Sequence, residues 1–332
     1  MQRREFLSII GGIATSGAWP FATRAQQPDR IRRLGWMDSF REDDPNARAR
    51  VRAFLEVLQK LGWSVGGNLA IDYRWDLFDL PRAREAGAGL LSLAPDVIFC
   101  GGTPSALAMQ QATGTLPVVF AFVTDPIGQG IVPNLSHPGG NLTGFSYFEP
   151  GVGAKWLELL KEIAPAVSRV SVVYNPVSSP YSPLYYESIE AAAPKLAIEP
   201  ARQLVHELAD VEQLLSRLGR EPGSGVIFSA DAFIYNNRKS VIHWTAQYRV
   251  PALYGLPGTA AEGGLIYYSV DIVDLCRKAA GYVDRILRGE KPADLPVQSP
   301  TKFDLTINLK AATGLGLSVP NTLIVSADQI IE

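Results

Sequence analysis

Residue types that build metal and redox sites are scarce in this chain. Its 332 residues include two cysteines, Cys100 and Cys276, and three histidines, His137, His206 and His243. Neither cysteine belongs to a Cys-x-x-Cys motif or a Cys/His cluster, so a structural zinc site is not indicated. The two thiols either pair in an oxidising compartment or stay free. We favour two buried thiols, because free cysteine is among the most buried residue types.

An excess of charge of one sign is missing as well. Thirty-one basic residues stand against thirty-three acidic residues, which gives a formal net charge of −2. Proteins that hold a polyanion carry a basic excess, so we expect no nucleic acid as a partner. The chain also contains no Gly-x-Ser-x-Gly elbow, and its Gly-rich stretch 137–141 lacks the Lys-Ser/Thr of a phosphate-binding loop. These absences predict no catalytic residues and no cofactor.

Long apolar runs are confined to the N-terminus. The pair Arg3-Arg4, followed by x-Phe-Leu, precedes an apolar Gly- and Ala-rich run over 9–22 and a small-x-small site that ends at Ala25. This layout is typical of an export signal, and the arginine pair is similar to a twin-arginine signal. We predict cleavage after Ala25 and assign 1–27 to the signal; an N-terminal helix of the mature domain is the alternative. No later stretch reaches the ~20 apolar residues of a membrane span, so we expect a soluble protein in the periplasm.

Beyond residue 30, short apolar runs alternate with helix-length segments. Strands are predicted at 31–37, 69–75, 96–100 and 117–123, and helices at 46–61, 80–93 and 104–112. After the Gly/Pro-rich stretch 137–153 the pattern restarts, with strands at 169–174, 200–205, 226–229, 251–254 and 266–269 and helices at 184–193, 211–218, 237–248 and 275–287. The alternation predicts parallel sheets covered by helices. We expect Pro194 to end the helix before it and 137–153 to be a crossover with turns.

The two halves of this pattern are alike. Val-Ile-Phe at 97–99 is followed by a polar loop, a helix and a strand that Pro117 begins, and Val-Ile-Phe at 226–228 leads in the same way to Pro251. We therefore predict an α/β fold of two Rossmann-like lobes joined by a hinge, with parallel sheets flanked by helices. One large doubly wound sheet is the alternative. Two lobes are favoured because the second cycle starts only after the Gly/Pro-rich stretch.

Polar side chains and glycines follow the predicted strands. Ligands of open parallel sheets bind outside the carboxyl ends of the strands. The predicted ligand-binding residues are Asp38, Ser39, Gly102, Thr103, Thr124, Asp125, Asn175, Tyr181, Asp231, Tyr254 and Tyr268. Helix N-termini after Thr103 and Asp231 would offer N–H groups to a carboxylate, since these loops contain no obvious arginine.

Each of these residues can also be interpreted as part of the fold rather than as a ligand contact. Ser, Thr and Asp before a helix are commonly caps. Trp36, Phe40 and the predicted tyrosines would supply apolar walls, although Trp36 and Tyr254 fit a core position as well. Four acidic loop residues, Asp38, Asp125, Asp231 and Asp271, lie on separate loops, so no metal site is predicted.

Several segments together resemble a known family. They are Arg3–Phe6, Gly-Gly-Thr-Pro at 101–104, Thr-Asp-Pro at 124–126, Pro-Gly-Gly-Asn-Leu-Thr-Gly at 138–144, and a C-terminal stretch over 286–297, 300–303 and 307–310. The chain resembles, over essentially its whole length, the ABC-transporter substrate-binding proteins of the tryptophan and tyrosine type, which have the periplasmic-binding-protein type I fold. Two departures are Pro194 and Pro200, which flank a second-lobe turn, and the charged loop 38–44.

The resemblance implies two hinged lobes with solute between them and no catalysis. It also implies that the C-terminal segment returns through both lobes. We assign 28–147 plus about 272–300 to lobe 1, and 148–271 plus about 301–332 to lobe 2. The family's ligand loops correspond to Ser39, Thr103, Thr124–Asp125, Asn175, Asp231 and Tyr254.

The function expected from this resemblance is solute binding for transport. The chain would be the periplasmic component of an ABC importer that closes on a small organic solute, either an amino acid or an aromatic or carboxylate compound. Its partners would be that solute and a permease in the inner membrane, and the protein would be a monomer. The alternatives are a ligand-sensing subunit for a membrane signalling protein and, less favoured, an enzyme on the same scaffold.

Overall fold

The computed structural model describes residues 30–147, 149 and 151–332. The predicted export signal and its cleavage site lie outside these residues. Within the described residues, no helix combines the length and the apolar character needed to cross a membrane.

The first lobe is built on a five-stranded parallel sheet. Its strands are β1 (Arg32–Asp38), β2 (Leu69–Arg74), β3 (Val97–Gly101), β4 (Val118–Val123) and β5 (Leu142–Ser146), in the order β2-β1-β3-β4-β5. The helices that connect them are α1 (Pro45–Lys60), α2 (Leu80–Leu91) and α3 (Thr103–Ala112). Every residue of β3 is buried, because helices cover both faces of the sheet. A later helix, α9 (Ile272–Leu287), packs against α1 and the sheet.

The second lobe is built on a seven-stranded sheet. Its strands are β6 (Arg169–Tyr174), β7 (Glu199–Leu204), β8 (Ser224–Phe228), β9 (Ala252–Tyr254), β10 (Ile266–Val270), β11 (Phe303–Asn308) and β12 (Gln329–Ile331), in the order β12-β11-β10-β9-β8-β6-β7. Its helices are α4 (Val152–Ile163), α5 (Ser182–Leu196), α6 (Leu208–Leu218), α7 (Ala232–Asn236), α8 (Arg238–Gln247), α10 (Leu309–Leu315) and α11 (Asn321–Ser326). All neighbouring strands are parallel except β10 and β11. Two separate sheets confirm the predicted two-lobed α/β fold and exclude a single large sheet.

The chain passes between the sheets after β5, between β10 and α9, and between the short 3₁₀ helix Pro292–Asp294 and β11. The returning segment pairs with the end of β5, where Ser146 N donates to Gln298 O at 2.9 Å and Gln298 N donates to Gly144 O at 3.0 Å. The crossing segments are thus hydrogen-bonded to one another rather than independent linkers.

Two local predictions are wrong. Residues 142–146 form β5 rather than part of a crossover, because Gly144 takes φ +153° and lies so close to Phe120 O that a Cβ would be 1.9 Å from it. Helix α5 continues past Pro194 to Leu196 and ends with Ala197 at φ 52°. Pro194 lacks the N–H that would donate to Glu190 O, but the helix closes after it, where Ala197 N donates to Ala193 O and Pro194 O.

The cysteines match the favoured prediction. Both Cys100 and Cys276 lie in the described part of the chain as free, buried thiols. Burial raises the pKa of Cys276 to about 12 and that of Cys100 higher still. Neither thiol is therefore a reactive thiolate near neutral pH.

Candidate functional site

A cleft lies between the lobes, at the carboxyl ends of strands from both sheets. Small-molecule sites lie preferentially at interfaces between domains. The first lobe lines it with Ser39, Phe40, Arg50, Phe78, Gly101, Gly102, Thr103, Pro104, Phe122, Thr124 and Tyr147. The facing residues of the second lobe are Ser178, Tyr181, Ala230, Asp231, Ala232, Tyr235, Leu256 and Pro257, and Ile272 at the start of α9 completes the lining.

Six of the predicted residues line this cleft: Ser39, Gly102, Thr103, Thr124, Tyr181 and Asp231. Two others lie directly behind the lining. Asp38 is fully buried and forms an ion pair with Arg50, and Asn175 N donates to Asp231 Oδ2 at 2.5 Å. The Asp38 side chain and the Asn175 backbone thus each hold a lining residue in place.

The remaining predicted residues lie away from the cleft lining. Asp125 Oδ1 accepts from Gly128 N within its own loop. Tyr254 is fully buried in the second-lobe core, where its hydroxyl bonds Thr245 at 2.8 Å. Tyr268 stacks on Phe303, with ring centroids 5.6 Å apart. Among the predicted apolar walls, Phe40 lines the cleft, whereas Trp36 is fully buried in the first-lobe core.

Arg50 is a lining residue that the loop analysis missed, since it lies on α1 rather than on a loop after a strand. Ala47, Arg50 and Phe54 are all buried and share one face of that helix. An arginine on the apolar face of an amphipathic helix was a sequence signal that could have identified it, because buried charges are nearly always paired.

The partner of Arg50 is Asp38. Arg50 Nη2 donates to Asp38 Oδ1 at 2.8 Å, with side chains 2% and 0% exposed. Asp38 also accepts from Phe40 N at 2.9 Å and from Trp36 Nε1 at 3.3 Å. Burial raises the pKa of Asp38, and the nearby Arg50 charge opposes the shift. The carboxylate at the end of β1 therefore holds the guanidinium at the edge of the cleft.

Phe122 reaches the cleft through a strained backbone. It adopts φ 63° in β4, where the register with β5 shifts between Phe120 and Val123. A left-handed conformation is uncommon for an aromatic residue, and bulges of this kind redirect side chains beside functional sites. The Phe122 ring centroid lies 4.8 Å from Arg50 Cζ, and that of Phe40 lies 4.0 Å from the same atom.

The two helix N-termini that were predicted to bind a carboxylate differ in whether a side chain caps them. Asp231 Oδ1 accepts from Phe233 N, Ile234 N and the Ser178 hydroxyl, so the start of α7 is already capped. At the start of α3, no side chain in the described structure caps the helix, whose N-cap residue is Gly102. Burial raises the pKa of Asp231. The first turn of α3 therefore lines the cleft without a side-chain cap, and a buried carboxylate lines it at α7.

The lobes also contact each other beside the cleft through a cluster that we call the clasp: Asp44, Asn46, Tyr235, Arg238 and Glu262. Arg238 Nη2 lies 3.0 Å from Asp44 Oδ2 and 2.9 Å from Glu262 Oε1. The Tyr235 hydroxyl donates to Asp44 Oδ1 at 2.8 Å and accepts from Asn46 Nδ2 at 2.9 Å. First-lobe Asp44 and Asn46 thus bond second-lobe Tyr235 and Arg238, and the Tyr235 ring also lines the cleft.

A second depression lies on the outside of the first lobe, between α1 and β2. Its lining comes from one lobe and is dominated by charged residues, including Arg41, Glu42, Arg52 and Glu56. Within the described ranges, no cluster of His, Cys, Asp and Glu has the arrangement needed for a metal ion. The cleft is therefore the candidate site, because it alone of the two combines both lobes, aromatic rings and buried charges.

Comparison with known proteins places this geometry in a family. A sequence model of the ABC transporter substrate binding proteins matches residues 42–331. A tyrosine-binding protein of Clostridioides difficile is 27% identical over 292 residues, which cover 86% of this chain and 83% of that protein.

Solved structures agree with this match. An ABC domain from Streptococcus pneumoniae in complex with L-Trp is 25% identical with a TM-score of 0.82, covering 90% of this chain and 99% of the other. The ligand-free, open structure of a substrate binding protein with adhesive properties from Clostridium difficile is 25% identical with a TM-score of 0.69, covering 91% of this chain and 99% of the other. The fold is that of the type I periplasmic binding proteins. The chain belongs to the family of ABC transporter substrate-binding proteins and is a binding protein rather than an enzyme.

Proposed function

We propose that this protein is the periplasmic solute-binding component of an ABC importer and that its solute is an aromatic amino acid. The observation that carries this proposal is the cleft itself, which brings aromatic rings and buried charges of opposite sign together from both lobes. The relatives support the solute class, since one is a tyrosine-binding protein and another is in complex with L-Trp.

Aromatic side chains suit the ring of such a solute. Phe40, Phe122, Tyr147, Tyr181 and Tyr235 all line the cleft. Aromatic pairs contribute roughly 1 kcal/mol each beyond the area that they bury. Burial raises the pKa of Tyr147 and of Tyr181 to about 12, so both phenols stay protonated at physiological pH and can donate hydrogen bonds to the solute.

The charged ends of an amino acid also find partners. Asp231 lines the cleft, and no basic side chain among the described residues forms an ion pair with it. Its buried negative charge is therefore open to a ligand ammonium group, which would stabilise the ionised carboxylate. Arg50 and the open start of α3 provide positive potential for the carboxylate end.

We propose further that the lobes close on the solute. Tyr235 contributes both to the cleft lining and to the clasp, so a solute that packs on its ring also stabilises the interlobe contacts. The TM-score of 0.82 with the L-Trp complex exceeds the 0.69 with the open, ligand-free relative, which supports a closed arrangement. Closure shifts to the bound state only through contacts that both lobes make at once.

We base the proposed export and the proposed permease partner on the N-terminal sequence and on the family. The arginine pair and apolar run at the N-terminus support export to the periplasm, and membership of the family supports delivery to a membrane permease. We propose that the mature protein acts there as a monomer.

Binding is tested with purified protein and a panel of the twenty amino acids in a thermal-shift assay. We expect tryptophan, tyrosine or phenylalanine to raise the Tm, because a ligand that binds only the folded state stabilises it by about 2.7 kcal/mol at a hundredfold excess over Kd. A panel in which aliphatic or charged amino acids raise the Tm and aromatic ones do not would overturn the proposed solute class.

A further inference from the structure

We propose that Arg50 and the open first turn of α3 form a carboxylate subsite, through which the cleft selects aromatic ligands by their acid group. This inference rests on the proposed function and names the part of the solute that the cleft recognises. Three features of the described residues support it: a hydrogen-bond donor of Arg50 without a partner, a guanidinium held between aromatic rings, and the start of α3 on the same cleft.

The unused donor is on Arg50 itself. A guanidinium has five N–H donors; Nη2 bonds Asp38, whereas buried Nε has no hydrogen-bond partner in the described part of the chain. A buried donor on a charged group that lacks a partner is costly, and a bond to an anionic oxygen is the strongest way to satisfy it. The free protein therefore holds a cationic donor that a ligand carboxylate would satisfy.

The charge is held rigidly. The guanidinium carbon lies 4.0 Å from the Phe40 ring centroid and 4.8 Å from that of Phe122. Two rings restrict the guanidinium plane and exclude water from it, which strengthens a charge-assisted bond. Asp38, Phe40 and Phe122 thus orient a group that itself lines the cleft, rather than burying it away from a ligand.

The helix start lies on the same cleft. Gly102 and Thr103 line it together with Arg50, and α3 is ten residues long with no side chain capping its first turn within the described structure. Gly102 adopts φ +139°, and a Cβ there would lie 2.4 Å from Ser39 Oγ. Glycine thus lets Ser39 and the start of α3 approach each other closely, and the positive end of this helix favours the same anion as Arg50.

The ligand series that tests this subsite leaves the protein unchanged. Calorimetric titrations compare tryptophan, indole-3-propionic acid, which lacks the amine, and tryptamine, which lacks the acid. We expect tryptamine to bind about a hundredfold more weakly than tryptophan, because the charged donor at Arg50 stays unpaired. Tryptamine binding within about threefold of tryptophan would overturn the subsite alone. No binding by any of the three, nor by tyrosine or phenylalanine, would overturn the proposed function and the subsite with it.

Variants of Arg50 provide the second part of this test. Arg50→Met should weaken tryptophan binding about a hundredfold and leave tryptamine binding nearly unchanged, so the discrimination between the two ligands disappears. Arg48→Met, on the exposed side of the same helix, is the matched control and should bind both ligands as the wild type does. Arg50→Lys keeps the charge without the planar fork and should restore part of the discrimination.

The ratio of the tryptophan affinity to the tryptamine affinity distinguishes a role of Arg50 in ligand binding from a role in the fold alone. If Arg50 only supports the fold, Arg50→Met weakens both ligands by the same factor, and that result would overturn the subsite. If Arg50→Met does not fold, the ligand series on the wild type and the lysine variant decide the same question.

Discussion

At the scale of single residues, the buried pair of Asp38 and Arg50 determines the character of the cleft. Asp38 was recognised from the sequence because it follows a strand, but its role is to hold Arg50 rather than to line the cleft. Loop position predicts which side chains point toward the carboxyl edge of a sheet. It does not predict how far a helix such as α1 projects a long side chain into the same space, and Arg50 was missed for that reason.

Removal of the carboxylate at Asp38 should destabilise the protein strongly. Asp38→Asn leaves the Arg50 charge buried without its ion-pair partner, which costs about 3 kcal/mol in the free energy of unfolding. Urea denaturation followed by circular dichroism measures this change.

Asp125→Asn is the matched control for that substitution. Asp125 is half-exposed, and the amide oxygen of an asparagine can still accept from Gly128 N. We expect it to change the free energy of unfolding by less than about 0.5 kcal/mol. Equal denaturation midpoints for the two variants and the wild type would contradict the assigned role of Asp38.

At the scale of elements, most strands and helices of both lobes were predicted from their apolar periodicity, whereas α4, α7, α10, α11, β11 and β12 were not. Strand β5 was missed as well. Its five residues lie in a stretch whose glycines and prolines indicate turns. What makes them a strand is the close approach of Gly144 to β4, a tertiary contact with no counterpart in local sequence pattern. The same contact accompanies the bulge that turns Phe122 toward the cleft.

Substitution of Gly144 should therefore affect both stability and binding. In Gly144→Ala, the added Cβ would overlap the backbone oxygen of Phe120 at a backbone angle that favours glycine. We expect a loss of at least about 2 kcal/mol in the free energy of unfolding, together with weaker binding of aromatic ligands because Phe122 moves. Gly140→Ala, in the same segment with open space around it, should leave both quantities unchanged. Wild-type stability of Gly144→Ala would show that β5 does not position Phe122 in this way.

At the scale of the whole molecule, the clasp joins the two lobes. Asp44 and Arg238 are nearly buried and belong to different lobes. Their attraction is therefore screened less by salt than that of an exposed pair. The two-lobed architecture was predictable from the repeated strand–helix cycle, but the clasp was not, because Asp44 precedes α1 as an ordinary cap and only tertiary packing brings Arg238 to it.

Arg238→Met should shift the lobes toward an open form. We expect ligand affinity to fall about tenfold, because part of the binding energy must then close the lobes, and the radius of gyration of the ligand-free protein in small-angle X-ray scattering to rise. Lys239→Met, exposed on the same helix, should match the wild type in both measurements. A variant with unchanged affinity and unchanged radius would show that the clasp does not contribute to closure.

The central claim is that one aromatic amino acid binds between the lobes, and calorimetric titration of tryptophan and tyrosine into the wild-type protein tests it most directly. We predict saturable binding of at least one of them with a single site per chain and a negative heat-capacity change, because apolar surface on the ligand and on both lobes is removed from water. Titrations that show no saturable heat with either amino acid across temperatures at which the protein is folded would contradict the claim.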